Sequence, residues 1–88
     1  MPQLEIPDHF RKVLHSKPAA LQAAVLKCVA RLGDNPRHPG LRTHRLQGAK
    51  GVWEAYVDKA NRVTFHYGVD GRIVLRNNCN HDILTRSP

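Results

Sequence analysis

Cysteine is nearly missing from this sequence: Cys28 and Cys79 are the only two, too few for a disulfide framework. Long apolar runs are missing altogether. No segment approaches the roughly 20 apolar residues of a membrane-spanning helix. The stretch from Met1 to His9 has neither the basic start nor the apolar run of a signal peptide. There are no repeats and no low-complexity tract. These absences exclude a disulfide-stapled scaffold, a helical membrane protein and a solenoid. They leave the expectation of a cytoplasmic protein with no membrane contact, its residues 1–88 forming one domain around one modest core.

Acid is also scarce. Fourteen Lys and Arg face seven Asp and Glu, a formal net charge of +7. The excess is uneven: residues 1–50 hold nine basic and three acidic side chains, residues 51–88 five and four. Between Asp34 and Glu54 no acid occurs, whereas Arg37, Arg42, Arg45 and Lys50 all do. Such a stretch attracts polyanions whatever their sequence, which makes these residues candidates for RNA contact. The plainer alternative is a solvated basic surface kept for solubility.

The chain reads as a helical part followed by a strand part. Asp8 suits the cap of a short helix over about 9–15, with Phe10, Val13 and Leu14 inward. Ser16-Lys17-Pro18 breaks it, and Pro18 suits the first turn of a second helix running to about Leu32. Leu21, Val25, Cys28 and Leu32 recur at helical spacing, so Cys28 reads as a small core residue. Gly33 is the expected stop. Residues 34–51 read as a long Pro-, Gly- and Arg-rich connector, pinned by Leu41 and Leu46.

Alternation then predicts three strands, 52–57, 62–67 and 72–77, joined by close turns. Asp70-Gly71 suits a type I′ hairpin turn. The fold class expected is α+β: an N-terminal helical hairpin packed on an antiparallel sheet of three to four strands. One face collects Trp53, Ala55, Val57, Val63, Phe65, Ile73 and Leu75 for the helices to cover. The other collects Glu54, Tyr56, Arg62, Thr64, His66 and Arg76, with His81 just past the last strand.

That second face has the groups a metal-independent ribonuclease needs. A base takes the 2′-hydroxyl proton, an acid protonates the leaving 5′-oxygen, and cations neutralise the phosphate. Histidine suits both proton roles because it titrates near neutral pH. Alternation alone favours a plain solvated face, since the outer side of any half-buried sheet is polar. A zinc site is disfavoured: Cys79 and His81 form one close pair where two are usual. No metal and no cofactor are expected.

The order of elements and four short motifs resemble the RelE/ParE toxin superfamily. The motifs are ARLGDNPRHPG, LRTHRLQGAKGVWEAYV, NRVTFHY and GRIVLRNNCNHDIL, and the match spans about residues 8–84. The resemblance implies a bacterial type II toxin with a cognate acidic antitoxin as partner. RelE-like members cleave mRNA on the ribosome without metal, whereas ParE-like members inhibit DNA gyrase. It implies that Arg62 contacts the scissile phosphate and that His81, in the C-terminal His-Asp position, is an acid or base. Glu54 matches the family's acidic position, and His44 lies where a Lys or His is frequent. His66 has no fixed counterpart and rests on the face alone. The expected catalytic set is therefore Arg62, His81, Glu54 and His66. The expected RNA-binding set is Arg37, Arg42, His44, Arg45, Lys50, Tyr56 and Arg76.

Plainer roles stand beside these. Trp53 is a core residue or else a stacking platform. Arg62 pairs with Glu54 across the hairpin, His81 caps a backbone segment, and His66 is a surface strand residue. Two departures from the family pattern also stand. Only Leu4 and Ile6 are available for a first strand, and Asp82-Ile83-Leu84-Thr85 replaces the usual terminal tyrosine. The second departure favours the gyrase-inhibiting reading or a non-catalytic partner-binding module of the same fold.

Overall fold

A computed structural model describes residues 3–80. His81, the one candidate site residue beyond them, lies outside the described residues.

The helical hairpin consists of α1 (Asp8–His15) and α2 (Ala19–Asp34). Asp8 stands in the first turn of α1, where a carboxylate favours the positive end of the helix dipole. Ser16 ends α1, its hydroxyl donating to the Val13 carbonyl at 2.6 Å. Pro18 sits at the N-cap of α2, one position before the expected first turn. The helices bury Phe10 and Leu14 from α1, and Val25, Cys28, Val29 and Leu32 from α2. Leu21 packs at the margin of that core. Burial pushes the Cys28 thiol up to about 12, against a small opposing effect of the Arg31 charge.

Gly33 does not stop α2. The helix passes through it and ends at Asp34, and Asn35 is extended at φ −157°. Asn35 precedes Pro36, whose ring disfavours helical backbone at the residue before it. Gly33 serves a close approach instead: a Cβ there would lie 2.8 Å from Leu4 Cδ1. Leu4 belongs to β1 (Leu4–Glu5), so the glycine lets the first strand pass against the end of α2.

The sheet has five strands, not three or four, and it is mixed. Besides β1 these are β2 (His44–Arg45), β3 (Trp53–Tyr56), β4 (Asn61–Tyr67) and β5 (Ile73–Asn80), in the order β1-β5-β4-β3-β2. β1 runs parallel to β5, and every other pairing is antiparallel. The two additional strands are two residues long, too short for alternation to show them. A short 3-10 turn, Pro39–Leu41, precedes β2, and Leu41 and Leu46 are buried as expected.

Two further details differ from expectation. Gly71 has a positive φ of 81° but Asp70 does not, so the turn is not type I′. Gly71 donates its N–H to the Gly68 carbonyl and Gly68 to the Arg72 carbonyl, a type I turn closed by a left-handed glycine. β5 also continues past Asn77 to Asn80, and its register shifts: Phe65 pairs with Leu75 but Thr64 with Asn77. Arg76 is the extra residue of this bulge, so every residue after it changes face. Asn78 therefore points to the helices, where its side chain donates to the Phe10 carbonyl at 3.1 Å.

The β3–β4 turn is held by Asp58. Its carboxylate accepts from the Ala60 and Asn61 backbone and from the Asn61 side chain at 2.8–3.0 Å. Desolvation pushes this carboxyl up, but those hydrogen bonds and the Arg62 charge outweigh it and hold it below its ordinary value. A depressed carboxyl contributes stability above its unfolded value and loses it as pH falls through the folded one. The stability gap between wild type and Asp58→Ala should therefore be constant near neutrality and narrow below about pH 4. Urea unfolding across that range measures it.

Gly33 and Leu4 should couple. With Leu4 truncated to alanine, Gly33→Ala gains the helix preference of about 0.5–1 kcal/mol. With Leu4 intact, the same change gains less or loses stability. A double-mutant cycle that closes additively would refute the close approach.

Candidate active face

Alternation along β3 and β4 aims Glu54, Tyr56, Arg62, Thr64 and His66 away from the helices. The register confirms one shared face: Glu54 lies across from Thr64, and Tyr56 across from Arg62. β2 adds His44 directly opposite Glu54. This face differs from expectation in one respect. It is not uniformly solvated, since Glu54 is 1 % exposed, Thr64 0 % and Asn77 6 %. His44 from β2 and Arg62 from β4 lie against Glu54.

Glu54 is the centre of the arrangement. Its Oε1 lies 3.3 Å from His44 Nε2 and 3.7 Å from Arg62 Nε. His44 Nδ1 is 2.8 Å from the Arg42 carbonyl oxygen. A carbonyl and a carboxylate both only accept, so the imidazolium form alone lets both ring nitrogens donate. The exposed His44 ring is thus fixed at both nitrogens while it borders solvent.

Arg62 is held from behind. Its Nη1 donates to the carbonyls of Asp58, Asn61 and Lys59, all in or beside the β3–β4 turn. Its Nη2 makes no hydrogen bond among the described residues. The guanidinium also lies 4.7 Å from the centre of the Tyr56 ring, and that of Arg42 lies 4.8 Å from the same ring. Two cations contact one phenol ring, which offers its negative quadrupole to them. Arg42 takes up this position from a left-handed backbone, φ 47°, just after the 3-10 turn. Non-glycine residues rarely adopt that region.

Toward β5, Arg76 Nη1 lies 3.0 Å from His66 Nδ1. A guanidinium only donates, so Nδ1 accepts and the proton sits on Nε2. Beneath this pair, the Asn77 N–H donates to Thr64 Oγ1 at 3.1 Å. The bulge at Arg76 places Asn77 here, which simple alternation does not show.

The expected residues therefore divide. Arg42, His44, Glu54, Tyr56, Arg62, His66 and Arg76 share the polar face. Arg45, Arg37 and Lys50 do not. Arg45 packs over Trp53, 5.4 Å from its ring, on the side of the sheet that the helices cover. Arg37 lines a separate cavity beside Trp53, and Lys50 lies in the loop between β2 and β3. Among the described residues no group of three or more His, Cys, Asp or Glu is placed to hold a metal ion. Trp53 is half-buried and packs against the core. Sequence reading missed Asn77 and Lys17; the Lys17 ammonium lies 3.9 Å from the Cys79 sulfur, and Cys79 pairs with Arg62.

No family model matches the sequence, and no curated protein matches it closely. Solved structures do match. A chain of the archaeal RelE–RelB complex from Pyrococcus horikoshii is 19 % identical with a TM-score of 0.68, over 90 % of this chain and 93 % of that one. A chain of the E. coli DinJ–YafQ toxin–antitoxin complex is 18 % identical with a TM-score of 0.71, over 94 % and 96 %. A YoeB/ParE toxin from Agrobacterium tumefaciens is 13 % identical with a TM-score of 0.70, over 90 % and 98 %. At these identities the likeness is one of fold, and the fold of this chain is that of the RelE/ParE-like toxins.

Proposed function

We propose that residues 1–88 form the toxin of a type II toxin–antitoxin pair, a cytoplasmic endoribonuclease that cuts mRNA on the ribosome without a metal ion. The observation that carries this reading is the buried Glu54 carboxylate between His44 and Arg62. It joins a carboxylate, an imidazole and a guanidinium within one ion-paired group at a solvent border.

The chemistry follows from charge. The 2′-oxygen attacks phosphorus and loses its proton, the bond to the 5′-oxygen breaks, and that oxygen takes up a proton. The products are a 2′,3′-cyclic phosphate and a 5′-hydroxyl. Negative charge builds on the phosphate oxygens, and the Arg62 guanidinium, fixed at Nη1 by the turn carbonyls, directs Nη2 to them. Arg76 and Arg42 supply further positive charge beside it. His44 is held by Glu54 and the Arg42 carbonyl, and its Nε2 gives a proton to the leaving oxygen as the 3.3 Å contact with Glu54 opens. His81 is its complement on the strength of the family resemblance, and His66 takes that role only when Arg76 releases its Nδ1. Tyr56 offers a ring against which a base can stack. Arg37, Arg45 and Lys50 lie off this face and act as outer phosphate contacts.

The partner is an acidic antitoxin. A chain of +7 attracts an acidic segment, and two of the three similar structures above are named as complexes, RelE–RelB and DinJ–YafQ. Among the described residues no helix is long and apolar enough to cross a membrane.

Cleavage of a defined mRNA on purified ribosomes tests the activity. Arg62→Ala, His44→Ala and His81→Ala should each lower the rate about 10²–10⁴-fold, the usual weight of a catalytic group. Arg62→Lys should restore little, because lysine lacks the planar fork. A chelator should change nothing. If wild type leaves the mRNA whole but blocks DNA supercoiling, the gyrase-inhibiting reading replaces this one; if it does neither, the binding-module reading does.

Antitoxin affinity should fall steeply as salt rises, because exposed charges are screened beyond about 10 Å at 0.1 M. Affinity that is flat in salt would point to an apolar interface instead.

A further inference from the structure

The helix-covered side of the sheet holds a feature that the nuclease reading does not use. Trp53 of β3 and Tyr67 of β4 line a cavity of about 780 Å³. That lies within the range of about 300–1,000 Å³ usual for small-molecule sites. The two rings meet edge to face, with centres 5.9 Å apart and planes at 81°. Tyr67 is 43 % exposed, one of three large apolar side chains so open among the described residues.

The opposite wall is the connector from Pro36 to Thr43, and it is built, not loose. The Arg37 N–H donates to Asn35 Oδ1, the Gly40 N–H donates to His38 Nδ1, and the Thr43 hydroxyl donates to the Pro36 carbonyl. Leu41, 1 % exposed, anchors the segment in the core. Arg37, Arg42 and His38 line the cavity and no acidic residue does. His38 accepts through Nδ1, so its Nε2 carries the proton and is a donor.

We propose that this cavity holds one unstacked base of a single-stranded RNA, its phosphate bound by Arg37 and Arg42. The walls decide the ligand class. Two aromatic rings suit a flat group, and two guanidinium groups suit an anion. A nucleotide joins a flat ring to an anion in one unit, and stacking tolerates any base. Arg42 gives the path: it lines the cavity while its guanidinium packs on Tyr56 of the polar face. One strand can therefore pass from the polar face around the β2 edge into the cavity. The choice of RNA over other nucleotide ligands rests on the proposed ribonuclease reading; the site itself does not.

Trp53 is the sole tryptophan, so the tryptophan fluorescence comes from the wall of this cavity. The full chain is titrated with a short 2′-O-methyl oligoribonucleotide, which cannot be cleaved. The expected result is saturable quenching. Arg37→Glu and Tyr67→Ala should each raise the dissociation constant about tenfold, the scale of one base stacked on an aromatic ring. Arg62→Ala should keep the quenching amplitude, so failure of the cleavage reading and failure of the cavity are told apart. Thermal unfolding checks each variant; if Tyr67→Ala does not fold, Arg37→Glu on the exposed connector carries the test. Absence of quenching overturns the proposal, as does quenching that neither substitution weakens. Quenching by an acidic peptide with an aromatic anchor but not by the oligonucleotide also overturns it and assigns the cavity to a protein partner.

Discussion

A carboxylate almost without solvent contact stands on the polar face of this sheet, and it must be paired. Leaving Glu54 buried without a partner would cost about 3–5 kcal/mol, a large part of the stability of a domain this size. The neighbouring elements are arranged around that requirement. β2, only two residues long, brings His44 to Glu54, and β4 brings Arg62. Arg62 in turn is bound by the carbonyls of the β3–β4 turn, and that turn is closed by Asp58. Tyr56 then contacts the guanidinium groups of both Arg62 and Arg42, and Arg42 sits in a left-handed conformation. Each residue of the group is positioned by another, which is what a preorganised site requires.

The same hairpin supports both sides of the sheet. Even-numbered residues of β3 and β4 build the polar face, and odd-numbered ones build the core and, at its margin, the aromatic wall of Trp53 and Tyr67. The basic connector divides between the two. Arg42 and His44 turn to the polar face, whereas Arg37 and Arg45 lie with the aromatic wall. In the proposed function this division lets a short domain offer one surface for cutting RNA and another for holding it.

Much of this was legible in the residues. The stripe of Val25, Cys28 and Leu32 is buried, and Leu41 and Leu46 do anchor the connector. Glu54, Tyr56, Arg62 and His66 share a face because side chains alternate along any strand. The family resemblance also anticipated the fold. Other features were not legible. Gly33 reads as a helix stop, because glycine ends many helices, and only the position of Leu4 shows that it makes room instead. Asp70-Gly71 reads as type I′, and only the backbone shows a left-handed Gly71 alone. β1 and β2 are too short to carry a pattern and exist through their partners.

The division has one physical reason. Helical period, strand alternation, breakers and net charge are properties of the local chain, and the sequence by itself determined them: two helices, a polar and an apolar side to the hairpin, and a cationic connector. Register and burial depend on which strand lies alongside. The bulge at Arg76 reverses the facing of Asn77 and Asn78 in a stretch whose sequence shows no sign of it. The pairing of His44 with Glu54 joins a connector residue to a strand residue. Only the tertiary structure could decide that Glu54 is buried and bound where alternation promised an open surface, because burial is a property of the assembled neighbours and not of the residue.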